Sequence, residues 1–276
     1  MLLLKQPIFE IIFFLEKGEQ PMTSSAQSVV TTVTQTLPTL LDDTLVGIYL
    51  FGSLVWGDFD EDTSDIDILV VLHRDIDDAL FTTLNAFHDD LVQQYPYWAG
   101  RVELVYISVE ALNTFKEKRS PIAVMSPGEP FNIKDAGLDW LINWYTIRDQ
   151  SQVLYGPVPT TIIPSITRAE FTDAVRMQVD EWGDWVEHSR ESRPSQAYTI
   201  LTMCRALYAW QAGVQTSKRQ AAEWAMQALP EQAQIIANAL EWRRDHRNND
   251  INHMATYRFA VEMVRVVSDK MGIVRL

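Results

Sequence analysis

Two aspartates separated by one isoleucine, Asp65 and Asp67 in "SDIDILVVL", stand at the mouth of an apolar run. Side chains two apart on a strand point the same way, so both carboxylates share one face and Ile66 takes the other. Their Cβ atoms then lie about 6–7 Å apart, twice the rise per residue. Buried carboxylates without a cation are costly, so the pair asks for something positive between them. Glu103, in "RVELVYI", alternates with apolar Val102 and Leu104 and offers a third carboxylate from a later strand. Carboxylates rotated toward each other can grip one divalent ion or bracket a pair.

Gly52 and Ser53 lie upstream, where an apolar strand ends and a helix is expected to begin. Glycine admits close backbone approach, and amides at a helix start can cradle a phosphate. After a spacer of ten residues, Ser64 sets another hydroxyl beside Asp65. A bare D-x-D most often marks a solvated turn, but the ordered set of Gly-Ser, Ser-Asp-x-Asp and a lone strand glutamate is specific.

Patterning supplies the elements that must hold these residues. "SSAQSVVTTVTQTLPTLL" reads as an amphipathic helix, and 46–51, 66–72, 101–108 and 152–157 read as strands. Helical periodicity runs from Asp75 to Tyr95 and through "GLDWLINWYTIRD". A proline-rich link, "GPVPTTIIPS", precedes a wholly helical half of about five helices. Thr167 with Glu170 and Ser217 with Gln220 have capping-box spacing, and Gly213 and Gly272 are helix stops. The expected fold is an α/β domain with a short mixed sheet over 22–160, followed by an all-α bundle over 161–276.

Residues 1–21 have no cleavage-site pattern of a signal peptide. They read as an extension ahead of a natural start at Met22, because "EKGE" requires purine-rich codons like those of a ribosome-binding site. The chain of 276 residues has a formal charge of −14, which argues against non-specific nucleic-acid binding and suits cationic small molecules or divalent metals. The single cysteine, Cys204, forbids an internal disulfide and fits a reducing cytoplasm. The five histidines lack metal-ligand spacing, and no apolar run reaches membrane-spanning length. With no heptad seam, a monomer is expected.

"FGSLVWGDFDEDTSDIDILVV" resembles the G-S…S-D-x-D signature of the nucleotidyltransferase superfamily whose fold is shared with DNA polymerase β. "LTMCRALYAWQAGVQTSKRQAAEWAMQALP" and "GLDWLINWYTIRDQSQVLYGP" are similar to stretches of aminoglycoside adenylyltransferases of the streptomycin/spectinomycin type. The resemblance implies adenylyl transfer from Mg-ATP to a hydroxyl of a cationic aminoglycoside or aminocyclitol. It implies that Asp65 and Asp67 hold magnesium and that Glu103 serves as general base and further ligand. It places Gly52, Ser53, Ser64, Asp139, Arg205 and Lys218 around the nucleotide. Arg244 falls near a position where those enzymes carry a tyrosine close to the nucleotide. The segment 181–200 departs from the family, and there Trp182, Trp185, Glu187 and Glu191 could meet a sugar amine. Two alternatives keep the same residues: another small-molecule or protein hydroxyl as acceptor, or an antitoxin-like binding module without catalysis.

Overall fold

The computed structural model describes residues 24–243 and 253–273, so the expectations for Met22 and Arg244 lie outside the described residues. Six strands form one mixed sheet: β1 (Leu45–Phe51), β2 (Ile66–Leu72), β3 (Val102–Ser108), β4 (Ser120–Met125), β5 (Asn132–Ala136) and β6 (Gln152–Tyr155). Their spatial order is β5-β4-β3-β2-β1-β6. Only β2 and β3 run parallel; the other pairs are antiparallel. The parallel pair requires a crossover, which α2 (Asp78–Gln94) supplies, capped by Asp77 accepting from the Leu80 amide.

β2 lies at the centre because both of its faces are apolar. Ile66, Ile68, Leu69, Val70, Val71 and Leu72 are all fully buried. Each such side chain contributes about 1.5–3 kcal/mol relative to exposure. Ile68 and Val70 pack beneath α1 (Ser24–Leu41) and α2, beside Val33, Leu37, Leu84 and Tyr106. Leu69 and Val71 face the other way, toward Val105, Ile107 and the Trp144 and Ile147 side chains of α4 (Leu141–Gln150). α3 (Val109–Thr114) follows β3 directly, its first turn capped by Ser108.

Five helices make up the second half among the described residues: α5 (Arg168–Trp185), α6 (Arg193–Ala212), α7 (Lys218–Ala228), α8 (Ala233–Trp242) and α9 (His253–Lys270). α6 is buried around most of its circumference, as a helix surrounded by the others must be. The core is continuous from sheet to bundle, since Val105 and Trp144 belong to the same buried cluster as Phe171, Leu201 and Met263. Gly213 ends α6 at φ 73°, and a Cβ there would lie 2.3 Å from Arg168 Nε.

Three local expectations change. β4 and β5 carry no clear strand pattern: "SPIAVM" includes Pro121, and "NIKDA" alternates polar residues at a sheet edge. The segment after Phe51 is one 3₁₀ turn, Gly52–Leu54, followed by turns and irregular chain up to β2 rather than by a helix. The Thr167–Glu170 capping box is complete, whereas Ser217 caps α7 alone. Gln220 Oε1 instead accepts from the Thr216 hydroxyl.

Candidate active site

The sheet register brings the key residues into line. Phe51 on β1 pairs with Asp67 on β2, and Asp67 pairs with Glu103 on β3. Neighbouring strands are about 4.8 Å apart, so the turn after Phe51 and the two carboxylates cross the sheet in a single row. Asp65 sits immediately before β2 on the same face. All three carboxylates line a cleft of about 330 Å³ between the sheet and the helical half.

Gly52 is part of this row for a steric reason. Its φ is +74°, and a Cβ would fall 2.1 Å from Asp67 Oδ2. Ser53 lines the cleft beside it. Three residues is too short a turn to act as a helix N-terminus, so the phosphate cradle expected there has no helix behind it.

The loop from Asp58 to Ser64 is pinned from both sides. Arg101 Nη2 donates to the carbonyls of Ser64 (2.6 Å) and Glu61, while its guanidinium lies 4.6 Å from the Trp98 ring centre. From the helical half, Arg219 Nε meets Asp58 Oδ1 at 3.0 Å. Ser64 is 2% exposed and does not line the cleft. Its hydroxyl accepts from the Asp60 amide at 3.0 Å and from Arg243 Nη2 at 3.3 Å.

The second half supplies the cations. Arg205 from α6, Lys218 from the first turn of α7 and Arg243 from the end of α8 all line the cleft, with Ser217 and Gln215 beside them. Lys218 Nζ lies 4.3 Å from the Tyr198 ring centre, a cation–π contact that holds the ammonium at the cleft wall.

Electrostatics expose a site short of positive charge. Burial, with Glu103 and Asp65 nearby, pushes Asp67 well above the usual carboxylate range; Lys218 and Arg205 oppose this without cancelling it. Burial and Asp65 raise Glu103 to about 7, with Lys134 lowering it and Glu129 raising it. Asp65 is raised by burial against the pull of Lys218, Arg101 and Arg243. Lys218 is lowered to about 7 by burial, then by Arg205 and Arg243.

This donor set fits magnesium. Among the described residues no three His, Cys, Asp or Glu side chains form a ready metal cage. Magnesium rarely uses one, binding through one or two carboxylates plus substrate phosphates and water. Hard carboxylates raised by mutual repulsion are what such an ion would relieve.

Asp139 stands apart from this row. It lines an adjoining hollow of about 410 Å³, gripped by Arg119 through two contacts of 3.1 Å and accepting from the Gly137 amide. Ile142 and Gln178 line both spaces. Glu187 is committed to Arg190 and to the Tyr257 hydroxyl. Cys204 is fully buried, and burial raises its thiol to about 12, as befits a structural residue. Asp58, Arg243 and Tyr198 were not legible as cleft residues, since each sits in a segment with no spacing signal.

Residues 34–126 match a family described as nucleotidyltransferase domain. Residues 161–269 match the aminoglycoside adenylyltransferase C-terminal domain. Fold and site thus define an enzyme of the nucleotidyltransferase class. The chain resembles the aminoglycoside adenylyltransferases that carry a helical second domain. An aminoglycoside (3'') (9) adenylyltransferase of Escherichia coli is 25% identical over 231 residues, 78% of this chain and 83% of that protein. One from Klebsiella pneumoniae is 26% identical over 211 residues, 71% of this chain and 76% of its own. The crystal structure of spectinomycin adenyltransferase AAD(9) from Enterococcus faecialis with ATP and spectinomycin shares the fold. It superposes with a TM-score of 0.66 at 17% identity, covering 87% of this chain and 99% of its own. No helix among the described residues is long and apolar enough to cross a membrane.

Proposed function

We propose that the protein transfers an adenylyl group from ATP to a hydroxyl of a cationic aminocyclitol or aminoglycoside. One observation carries this reading: Asp65, Asp67 and Glu103 share a cleft with Arg205 and Lys218, contributed by the other half of the chain. Such a cleft binds a polyphosphate by opposing cations to it while carboxylates retain a metal.

In the reaction the acceptor hydroxyl oxygen bonds to the α-phosphorus of ATP. The bond from that phosphorus to the bridging oxygen breaks, and pyrophosphate leaves. Glu103, in the same row as Asp67, takes the hydroxyl proton on its carboxylate as general base. Arg205 and Lys218 offset charge on the departing pyrophosphate, and Lys218 regains a full proton as the phosphates approach. Asp65 and Asp67, with Glu103, would hold magnesium, which would supply neutralisation of the phosphate oxygens. Positioning and charge then do most of the work, as in phosphoryl transfer generally.

The acceptor reading is supported by the net charge of −14 and by aromatic side chains near Lys218. Trp182 stacks edge-on with Trp185 at 4.4 Å and lies 5.8 Å from Tyr198. Incubation with Mg-ATP and a panel of aminoglycosides and spectinomycin tests the whole proposal, read by pyrophosphate release and by mass of the drug. Adenylylated drug is expected. Pyrophosphate without a modified drug moves the acceptor to another hydroxyl, and ATP binding without turnover on any acceptor refutes catalysis.

A further inference from the structure

Arg243 belongs to none of the sequence motifs, yet it enters the cleft beside the carboxylates. The end of α8 explains its direction. Trp242 is anchored within the bundle against its core, with the Arg193 guanidinium 5.1 Å from its ring centre and the Phe259 ring stacked at 6.4 Å. The next side chain on a helix turns about 100° away, which sends Arg243 toward the sheet. There it is half-buried and lines the cleft with Gly52, Asp58 and Asp65.

Among the described residues its guanidinium meets a neutral acceptor, the Ser64 hydroxyl, at 3.3 Å. That is a weak match for five donors in a planar fork. Asp58, the carboxylate that attracts Arg243 most, is engaged by the Arg219 side chain and backbone amide. Burial lowers Arg243 despite the attraction of Asp58, Asp60 and Asp65. A guanidinium that lines the same cleft as Arg205, Lys218 and the carboxylates, and whose hydrogen-bond acceptor among the described residues is a hydroxyl, is placed to receive anionic oxygens.

Resting on the nucleotidyl-transfer reading, we propose that Arg243 is a third phosphate-binding cation, beside Arg205 and Lys218. It exchanges the Ser64 hydroxyl for phosphate oxygens of the bound nucleoside triphosphate. Because Arg243 comes from the helical half and Ser64 from the sheet domain, nucleotide binding and the packing of the two halves are linked through one side chain. A purely structural strut would hold the halves together regardless of what the nucleotide carries.

The full-length protein and its Arg243→Gln and Arg243→Lys variants are titrated with Mg-ATP and separately with adenosine, by calorimetry, with melting curves alongside. Arg243→Gln is expected to weaken Mg-ATP binding roughly 10- to 100-fold, as loss of a charged contact does, and to leave adenosine affinity unchanged. Arg243→Lys keeps a cation, covers any folding defect of the glutamine variant, and is expected to fall between. Unchanged Mg-ATP affinity in folded Arg243→Gln overturns the inference alone. So does an equal loss of adenosine binding in either variant, which marks a structural role. If the wild-type protein binds no Mg-ATP, the parent reading falls and takes this one with it.

Discussion

Asp67 and Glu103 stand directly opposite one another in the parallel register of β2 and β3. No other pair of strands in this sheet is parallel, so this pairing depends on the α2 crossover that returns the chain to the same end of the sheet. The result is two carboxylates held within one strand spacing, each raising the cost of ionising the site.

That cost gives opposite expectations for stability and turnover. Asp67→Asn keeps the volume and removes a buried charge whose ionisation the fold resists. Turnover should fall by about 10³-fold, while the metal-free melting temperature should stay level or rise. Pyrophosphate release and a thermal melt read both. A folded variant that keeps its activity would discredit the site.

Gly52→Ala places a methyl group where Asp67 Oδ2 already sits, on a backbone that disfavours any Cβ. A stability loss of about 1–3 kcal/mol is expected. Turnover should drop about 10²-fold through displacement of the carboxylate. Denaturant midpoints and initial rates are the measurements; a silent substitution would show that the turn is not tied to the acid.

Asp58 and Arg219 join the loop before Asp65 to α7, but the Arg219 side chain is 56% exposed. A double-mutant cycle with Asp58→Asn and Arg219→Gln should give a coupling below about 1 kcal/mol, weaker still at high salt. A larger coupling would mean that this ion pair, rather than the shared apolar core, holds the two halves together.

His88 does not line the cleft; it is 2% exposed, with Nε2 2.8 Å from the Tyr106 hydroxyl and Phe131 edge-on at 4.4 Å. Burial lowers it from 6.5 to about 4. The folded state therefore favours neutral histidine: its contribution is complete above about 6.5 and is lost as pH falls toward 4. The loss amounts to at most about 3 kcal/mol. His88→Gln should melt with a shallower pH dependence between 7 and 4.5. Parallel curves for the two proteins would contradict this.

Much of the site could be read from residue order. Spacing of two on a strand put Asp65 and Asp67 on one face, and alternation in "RVELVYI" singled out Glu103 from its apolar neighbours. Strand β2 was legible because it is apolar on both faces. β5 was not, because an edge strand with one covered face carries too few apolar residues to stand out from a loop. The partners of Ser64 were not legible either: the loop folds its hydroxyl onto the Asp60 amide and the Arg243 guanidinium.

By itself the sequence determined the local rules: which residues alternate, where helices cap, and which carboxylates share a strand face. Those depend on backbone period and short-range sterics, which a linear pattern contains. The tertiary structure decided which distant groups meet. Lys218, Arg205 and Arg243 reach the carboxylates only because the buried core joins the bundle to one face of the sheet, and Asp139 is turned into a neighbouring hollow by Arg119. Contacts of that kind arise from packing between segments far apart in the chain or on different elements, which no local spacing encodes.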